Sequence, residues 1–336
     1  MSRLALSLFL SVQGVLAVPA FAQFAPLPPD KEAPSLSQGA QATPSPAEVV
    51  PSPEIAVEGR DASAPKLRAT RPALGERSFG VPRPPDGFGQ TPEEVYPWMV
   101  AVAKARPDRV RLLKLGLSSQ GRALWGMEIR PAAPLPNKLK RLAVICRQHG
   151  NEPEATASGT RFAAQFLAAT TPEARALSRK IALLIVPIAN PDGAARYQRR
   201  TAQNVDMNRD WGHNRSPEVR ALTQMVKSWK PQLVIDNHQW LPFETMPPPM
   251  AEASGGTLAR GVAHSMSESN AAHGYYLAAR SRWGLDSLCH RFWGQRFGVP
   301  AVLLETRHRP SVQGARAQAI EQALSALWAA TKTLAQ

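Results

Sequence analysis

Two cysteines, Cys146 and Cys289, are all that the 336 residues contain, and neither has the paired spacing of a zinc thiolate site. An exported chain permits a disulfide between them without requiring one. Cys146 ends an apolar run and reads as a small buried thiol. Beyond the N-terminus no apolar run is long enough to cross a bilayer, which excludes a helical membrane protein. No Lys/Arg-rich block with interleaved aromatics occurs, which argues against nucleic-acid binding. No internal repeat is seen.

The N-terminus itself reads as a secretory signal over residues 1–22. Arg3 supplies the positive start, Leu4 to Val18 is apolar but short, and Ala20-Phe21-Ala22 offers a small-x-small cleavage site. The expected location is outside the cytoplasm, periplasmic or secreted. Residues 23–90 are dense in Pro, Ala and Ser and poor in aromatics, so they cannot bury enough apolar area to offset their ordering entropy. They read as a flexible linker, with a propeptide as the functional alternative. Their seven Lys/Arg nearly cancel eight Asp/Glu, so the formal charge of +14 belongs to the rest of the chain. That charge suits steering of anionic substrates or a negative cell envelope, or plain solubility.

From Thr91 onward the pattern changes to that of a folded domain spanning 91–336. Residues 92–105 read as a helix. Arg111–Leu117 and Ala123–Arg130 read as strands joined by a turn at Ser118-Ser119-Gln120-Gly121. Further strands are expected at Lys140–Cys146, Ile181–Ile188, 232–237 and Val299–Leu304, and helices at 154–169, 216–228 and 315–333. The continuous apolar run Ile181–Ile188 suggests a strand buried on both faces. Strands alternating with helices imply an α/β fold, an α/β/α sandwich around a mixed, mostly parallel sheet. Ligands in such sheets bind beyond the carboxyl ends of the strands.

Three candidate site residues follow predicted strands: His149, His238 and Glu305. A histidine in that place is often structural, and His-x-x-Glu alone is a common pattern. Together, however, His149, Glu152 and His238 supply two imidazoles and a carboxylate with a fourth position left open, the donor set of a catalytic zinc. Further motifs accompany them. Asn190-Pro191-Asp192-Gly193 is a turn signal in its own right; Arg199-Arg200, Asp206-Met207-Asn208-Arg209-Asp210 and Ser216-Pro217-Glu218 follow; Glu305 comes directly after the last strand. The bland readings are a tight turn, solvated arginines, and a Glu305–Arg307 ion pair. Asp236, near the end of its strand, is a candidate acceptor for a ligand histidine.

In this order, with Gly116-x-Ser118-x-x-Gly121-Arg122 ahead of them, the motifs resemble those of the zinc metallocarboxypeptidases, the carboxypeptidase A-like family, from about Thr91 to the C-terminus. The resemblance implies that His149, Glu152 and His238 bind one zinc ion per chain, and that Glu305 is the general base. It also implies that Arg199 stabilises the oxyanion, with Arg200 the alternative if the register is off by one. Asn208 and Arg209 would hold a substrate carboxylate, and Arg122 would be a more distant substrate contact. The family often carries a mobile tyrosine; Tyr275 and Tyr276 fall in the right interval but in no recognisable motif. Arg280, Arg282 and Arg291 lie in the same region and would favour an acidic substrate group by charge alone. The Pro-rich stretch Leu241 to Pro249 is either a wall of the site or a surface loop.

The expected activity is zinc-dependent cleavage of an amide bond next to a free carboxylate, on peptides or peptidoglycan stem peptides. The alternatives are a zinc deacylase or amidase acting on small acyl-amino acids, and a non-catalytic binder of peptide or wall material.

Overall fold

Four parallel strands at the centre of a sheet carry His238 and Glu305 and lead into the turn that bears His149 and Glu152. The structure, a computed structural model, describes residues 80–82, 84, 91–131, 133, 139–241, 248–284, 286–307 and 314–336. All of these fall in the second of two units, Leu67–Gln336. The expected signal over 1–22 lies outside the described residues, as does nearly all of the expected linker over 23–90. One part of that stretch is seen: Val81 is buried, and the Pro82 carbonyl accepts the indole N–H of Trp98 at 3.0 Å.

The strands are β1 (Val110–Leu117), β2 (Ala123–Ile129), β3 (Lys140–Cys146), β4 (Ile181–Val186), β5 (Leu233–Trp240), β6 (Met250–Ser254), β7 (Ala278–Ser281) and β8 (Ala301–Arg307). Among the described residues they form one sheet in the order β1-β2-β4-β3-β5-β8-β6-β7. β4, β3, β5 and β8 run parallel, while β1/β2, β2/β4 and β6/β8 pair antiparallel. The sheet is therefore mixed, as expected.

The helices follow local rules. α1 (Pro92–Ala105) starts with Pro at its first position, and the Glu94 carboxylate accepts the Thr91 N–H at 3.0 Å. α2 (Pro153–Ala168) begins directly after Glu152, and α3 (Pro172–Lys180) is capped by Thr171. The Asn-Pro-Asp-Gly motif is more than a turn. It opens a short helix α4 (Pro191–Ala195), where the Asn190 side chain accepts the Gly193 N–H. α5 (Pro217–Trp229) is capped by Ser216. α6 (Thr257–Ala272), α7 (Cys289–Arg291, continued by a wider turn over Phe292–Arg296) and α8 (Ala315–Ala335) complete the set.

Alternation along the strands divides the core in two. Leu142, Val144 and Cys146 of β3 face the layer that includes α1, α2, α6 and α8, while Ala143 and Ile145 face Val219 and Leu222 of α5, Phe292, and Trp211. Each buried Leu or Ile contributes roughly 1.5–3 kcal/mol. The strand lengths differ from expectation in one way that matters. β5 runs to Trp240 and β8 to Arg307, so His238 and Glu305 lie inside the last strand turns rather than after them. They are paired in register across β5 and β8. That ladder continues through residues whose polarity hides a strand from sequence reading.

Candidate metal centre

The site is assembled where β3, β4, β5 and β8 end. After Cys146 the chain turns sharply at Arg147, whose φ of +59° lies in the left-handed region that non-glycine residues rarely occupy. The turn delivers His149 and then Glu152, which stands at the N-cap of α2. A carboxylate at that point is favoured by the helix dipole. Gly150 between them has no room for a side chain, because a Cβ there would lie 2.1 Å from the Gly193 carbonyl carbon and 2.5 Å from the Gln198 oxygen.

His149 and His238 both aim Nδ1 at the Glu152 carboxylate, at 2.6 Å and 2.8 Å. Their rings lie 4.7 Å apart, and one ligand atom from each of the three residues falls within 4.8 Å of the others. All three are buried. Burial opposes ionisation of Glu152, but the adjacent His149 and His238 hold its carboxyl well below the usual range.

The outer nitrogens are also engaged. His149 Nε2 lies 3.1 Å from Asp206 Oδ1, and His238 Nε2 lies 2.8 Å from Asp236 Oδ1 and 3.3 Å from Asn208 Nδ2. The Gln148 amide bridges Asp236 and the Trp211 indole, which donates to Gln148 Oε1 at 2.7 Å. Carboxylates behind both imidazoles fix the rings and leave each Nδ1 on the side where the donors converge, which is the outer arrangement a zinc ligand set requires. The residues present therefore fit a zinc ion held by His149, Glu152 and His238. Burial works against the charge on His238, yet Asp236 and Glu152 drive its pKa well above the usual value.

Glu305 sits beside His238 across the β5–β8 pair and is buried. Its Oε2 has no hydrogen-bond partner among the described residues. Burial pushes its carboxyl well above the ordinary range; His238 and Arg199 pull it down, while Glu152 and Asp236 push it further up. The side chain is thus a buried carboxyl next to the ligand set and not tied up by it.

Arg199 and Arg200 part company. Arg199 Nε donates to Asp206 Oδ2 at 3.2 Å, and its Nη1 comes within 3.8 Å of Glu152 Oε1. Arg200 is exposed and donates to the Asn204 carbonyl at 3.1 Å. Asn208 is buried, with Oδ1 accepting the Cys289 N–H at 2.8 Å. Arg209 is exposed and donates to the Asn208 carbonyl at 2.8 Å. Arg122 lies at the β1–β2 turn. It pairs with buried Asp192 at 2.8 Å, in a cluster where Ser118, Ser119 and the Gln120 N–H also donate to Asp192. That cluster fastens the β1–β2 turn to α4.

Tyr275 and Tyr276 are not brought to the ligand set. Tyr275 lines a cavity of about 870 Å³ between α2, α3, α6 and α8, and Tyr276 is largely exposed. Arg291 is paired with Glu252. Of the Leu241–Pro249 stretch, residues 242–247 lie outside the described residues. Both cysteines are buried free thiols, and burial pushes the Cys146 thiol up to about 12. Asp206 is the residue sequence reasoning passed over. It was visible inside the Asp-x-Asn-Arg run, but nothing in the spacing alone ties it to His149.

Comparison with known proteins gives a consistent result. Residues 95–241 match the family model described as zinc carboxypeptidase. A zinc carboxypeptidase of Saccharothrix mutabilis subsp. capreolus is 27% identical over 164 residues, covering 44% of this chain and 37% of that protein. A probable carboxypeptidase 2 of Arthroderma benhamiae is 32% identical over 100 residues, covering 30% of this chain and 19% of that protein. The chain thus spans well under half the length of these curated relatives. Among solved structures, a metallo-carboxypeptidase from Burkholderia cenocepacia aligns with a TM-score of 0.58 at 20% identity, covering 73% of this chain and 70% of that one. Carboxypeptidase A from Helicoverpa armigera aligns with a TM-score of 0.59 at 18% identity, covering 73% of each. These structural likenesses establish the fold.

Proposed function

We propose that this chain, whose residues 95–241 match the zinc carboxypeptidase family model, is a zinc-dependent hydrolase that cleaves an amide bond next to a free carboxylate. The observation that carries this reading is the convergence of His149 and His238 on Glu152, with Glu305 buried alongside and not engaged by the ligand set.

Zinc, when bound, supplies Lewis-acid polarisation and acidifies water at neutral pH. The protein's own groups do the rest. Glu305 takes the proton of the attacking water and returns it to the leaving nitrogen. Arg199 offers a fixed positive charge to the oxygen on which negative charge develops. Its hold on Asp206 orients the guanidinium toward the ligand set. Asn208 and Arg209 take the substrate carboxylate, the guanidinium in bidentate fashion. The backbone N–H of Cys289 keeps the Asn208 amide in one orientation, with its NH2 toward His238.

Peptides and peptidoglycan stem peptides are the proposed substrates. The N-terminal Arg3, the apolar stretch after it and Ala20-Phe21-Ala22 support export, and the +14 charge suits an anionic wall polymer. Among the described residues no helix is long and apolar enough to cross a membrane.

The deciding experiment measures metal content of the purified protein and follows peptide and muropeptide digests by mass spectrometry. About one zinc per chain with chelator-sensitive loss of a terminal residue supports the proposal. Release of an acyl acid in place of a terminal residue transfers the site to deacylation. Failure to take up zinc after reconstitution overturns it.

A further inference from the structure

Arg147 is completely buried, an unusual place for a guanidinium, and it occupies a left-handed backbone conformation that L-residues rarely adopt. Two unfavourable features in one residue, two positions before His149, call for a compensating role. The contacts indicate which. Its backbone N–H donates to the Asn237 carbonyl at 3.4 Å, next to His238. Its carbonyl accepts the Asn190 N–H at 3.2 Å. Its Nε donates to the Gly150 carbonyl at 3.0 Å, inside the His149–Glu152 turn.

The same turn is held from the other side. The Gly150 N–H donates to the Arg199 carbonyl at 3.3 Å, and Asn190 Nδ2 donates to both the Gln148 carbonyl at 3.2 Å and the Arg199 carbonyl at 3.3 Å. Arg147 thus joins the β5 end that carries His238, the β4 end that leads to Arg199, and the turn that carries the other two ligands. A core arginine acting only through charge needs no such set of backbone contacts.

We propose that Arg147 is a positioning residue for the metal centre: its buried guanidinium pins the Gly150 carbonyl and so sets the angle at which His149 and Glu152 face His238. The inference rests on the zinc reading of the site. A methionine of similar reach would fill the volume without the N–H donor, leaving the Gly150 carbonyl without that bond and the turn free to relax.

The test compares wild type, Arg147→Met, Arg147→Lys and a remote core variant, Leu327→Ala in α8, chosen for a comparable loss of thermal stability. Zinc affinity is read by chelator competition. Ligand geometry is read from the visible d–d spectrum of the cobalt(II)-loaded protein. The expected result is zinc affinity about 10-fold or more weaker in Arg147→Met, with an altered cobalt spectrum, an intermediate loss in Arg147→Lys, and both readouts unchanged in Leu327→Ala. Wild-type affinity and spectrum in Arg147→Met, or equal losses in Leu327→Ala, overturn the inference. If Arg147→Met does not fold, Arg147→Lys decides by the same two readouts, and unchanged values there overturn it. A wild type that binds no zinc overturns the zinc reading itself, a result distinct from all of these.

Discussion

Asp206 stands directly behind His149, its Oδ1 3.1 Å from Nε2 while the opposite ring nitrogen faces Glu152. The carboxylate also holds Arg199, so one residue orients both His149 and the arginine proposed to face the oxyanion. Asp206→Asn keeps the shape but removes the charge. Zinc affinity is expected to fall about 10–100-fold, measured by chelator competition. Unchanged affinity would show that His149 needs no carboxylate behind it.

Glu305 has the opposite character, a buried carboxyl whose Oε2 no described residue engages. Glu305→Gln is expected to reduce kcat by about 10²–10⁴-fold while zinc stoichiometry stays at the wild-type value. Loss of the metal along with activity would move Glu305 from proton transfer to ligand support.

The two adjacent arginines separate by position. Only Arg199 reaches toward Glu152, so Arg199→Ala is expected to lower kcat by about 10²–10³-fold. Arg200 bonds an exposed carbonyl, and Arg200→Ala should leave steady-state kinetics unchanged. The reverse pattern would place the register one residue away.

Much of this architecture was legible because it rests on apolar periodicity. The runs over β3 and β4 and the Ser216-capped start of α5 give their elements directly, since burial leaves little other use for such apolar segments. What escaped has a physical reason in each case. β6 and β7 are short, and β6 carries Glu252 in a buried position, so polarity disguises a strand. The ends of β5 and β8 look like loops because His238, Gln239 and Glu305 are polar, although ladder pairing continues through them. The Arg122 pairing with Asp192 spans 70 residues of sequence, and the Asp206 contact with His149 spans 57. Contacts of that separation leave no periodic trace.

The last prediction concerns Glu252, buried on β6 on the same side of the sheet as Glu305, since Met250 two residues earlier pairs with Glu305. Its Oε1 lies 3.1 Å from His290 Nε2 and accepts both Nε and Nη2 of Arg291. Burial works to raise its pKa, yet the His290 and Arg291 hydrogen bonds hold it down at about 2. A carboxyl depressed by folding gives its stabilisation in full above its unfolded pKa, roughly 4.5, and loses it as the pH falls toward the folded value. Glu252→Gln, which resembles the protonated acid, should therefore lower stability by on the order of 2–3 kcal/mol at pH 7. The gap between variant and wild type should narrow steadily from about pH 4.5 downward. Urea denaturation of both proteins at pH 7, 4 and 3 measures it. A gap that stays constant over that range would mean that packing, and not the ionised carboxylate, holds α7 against β6.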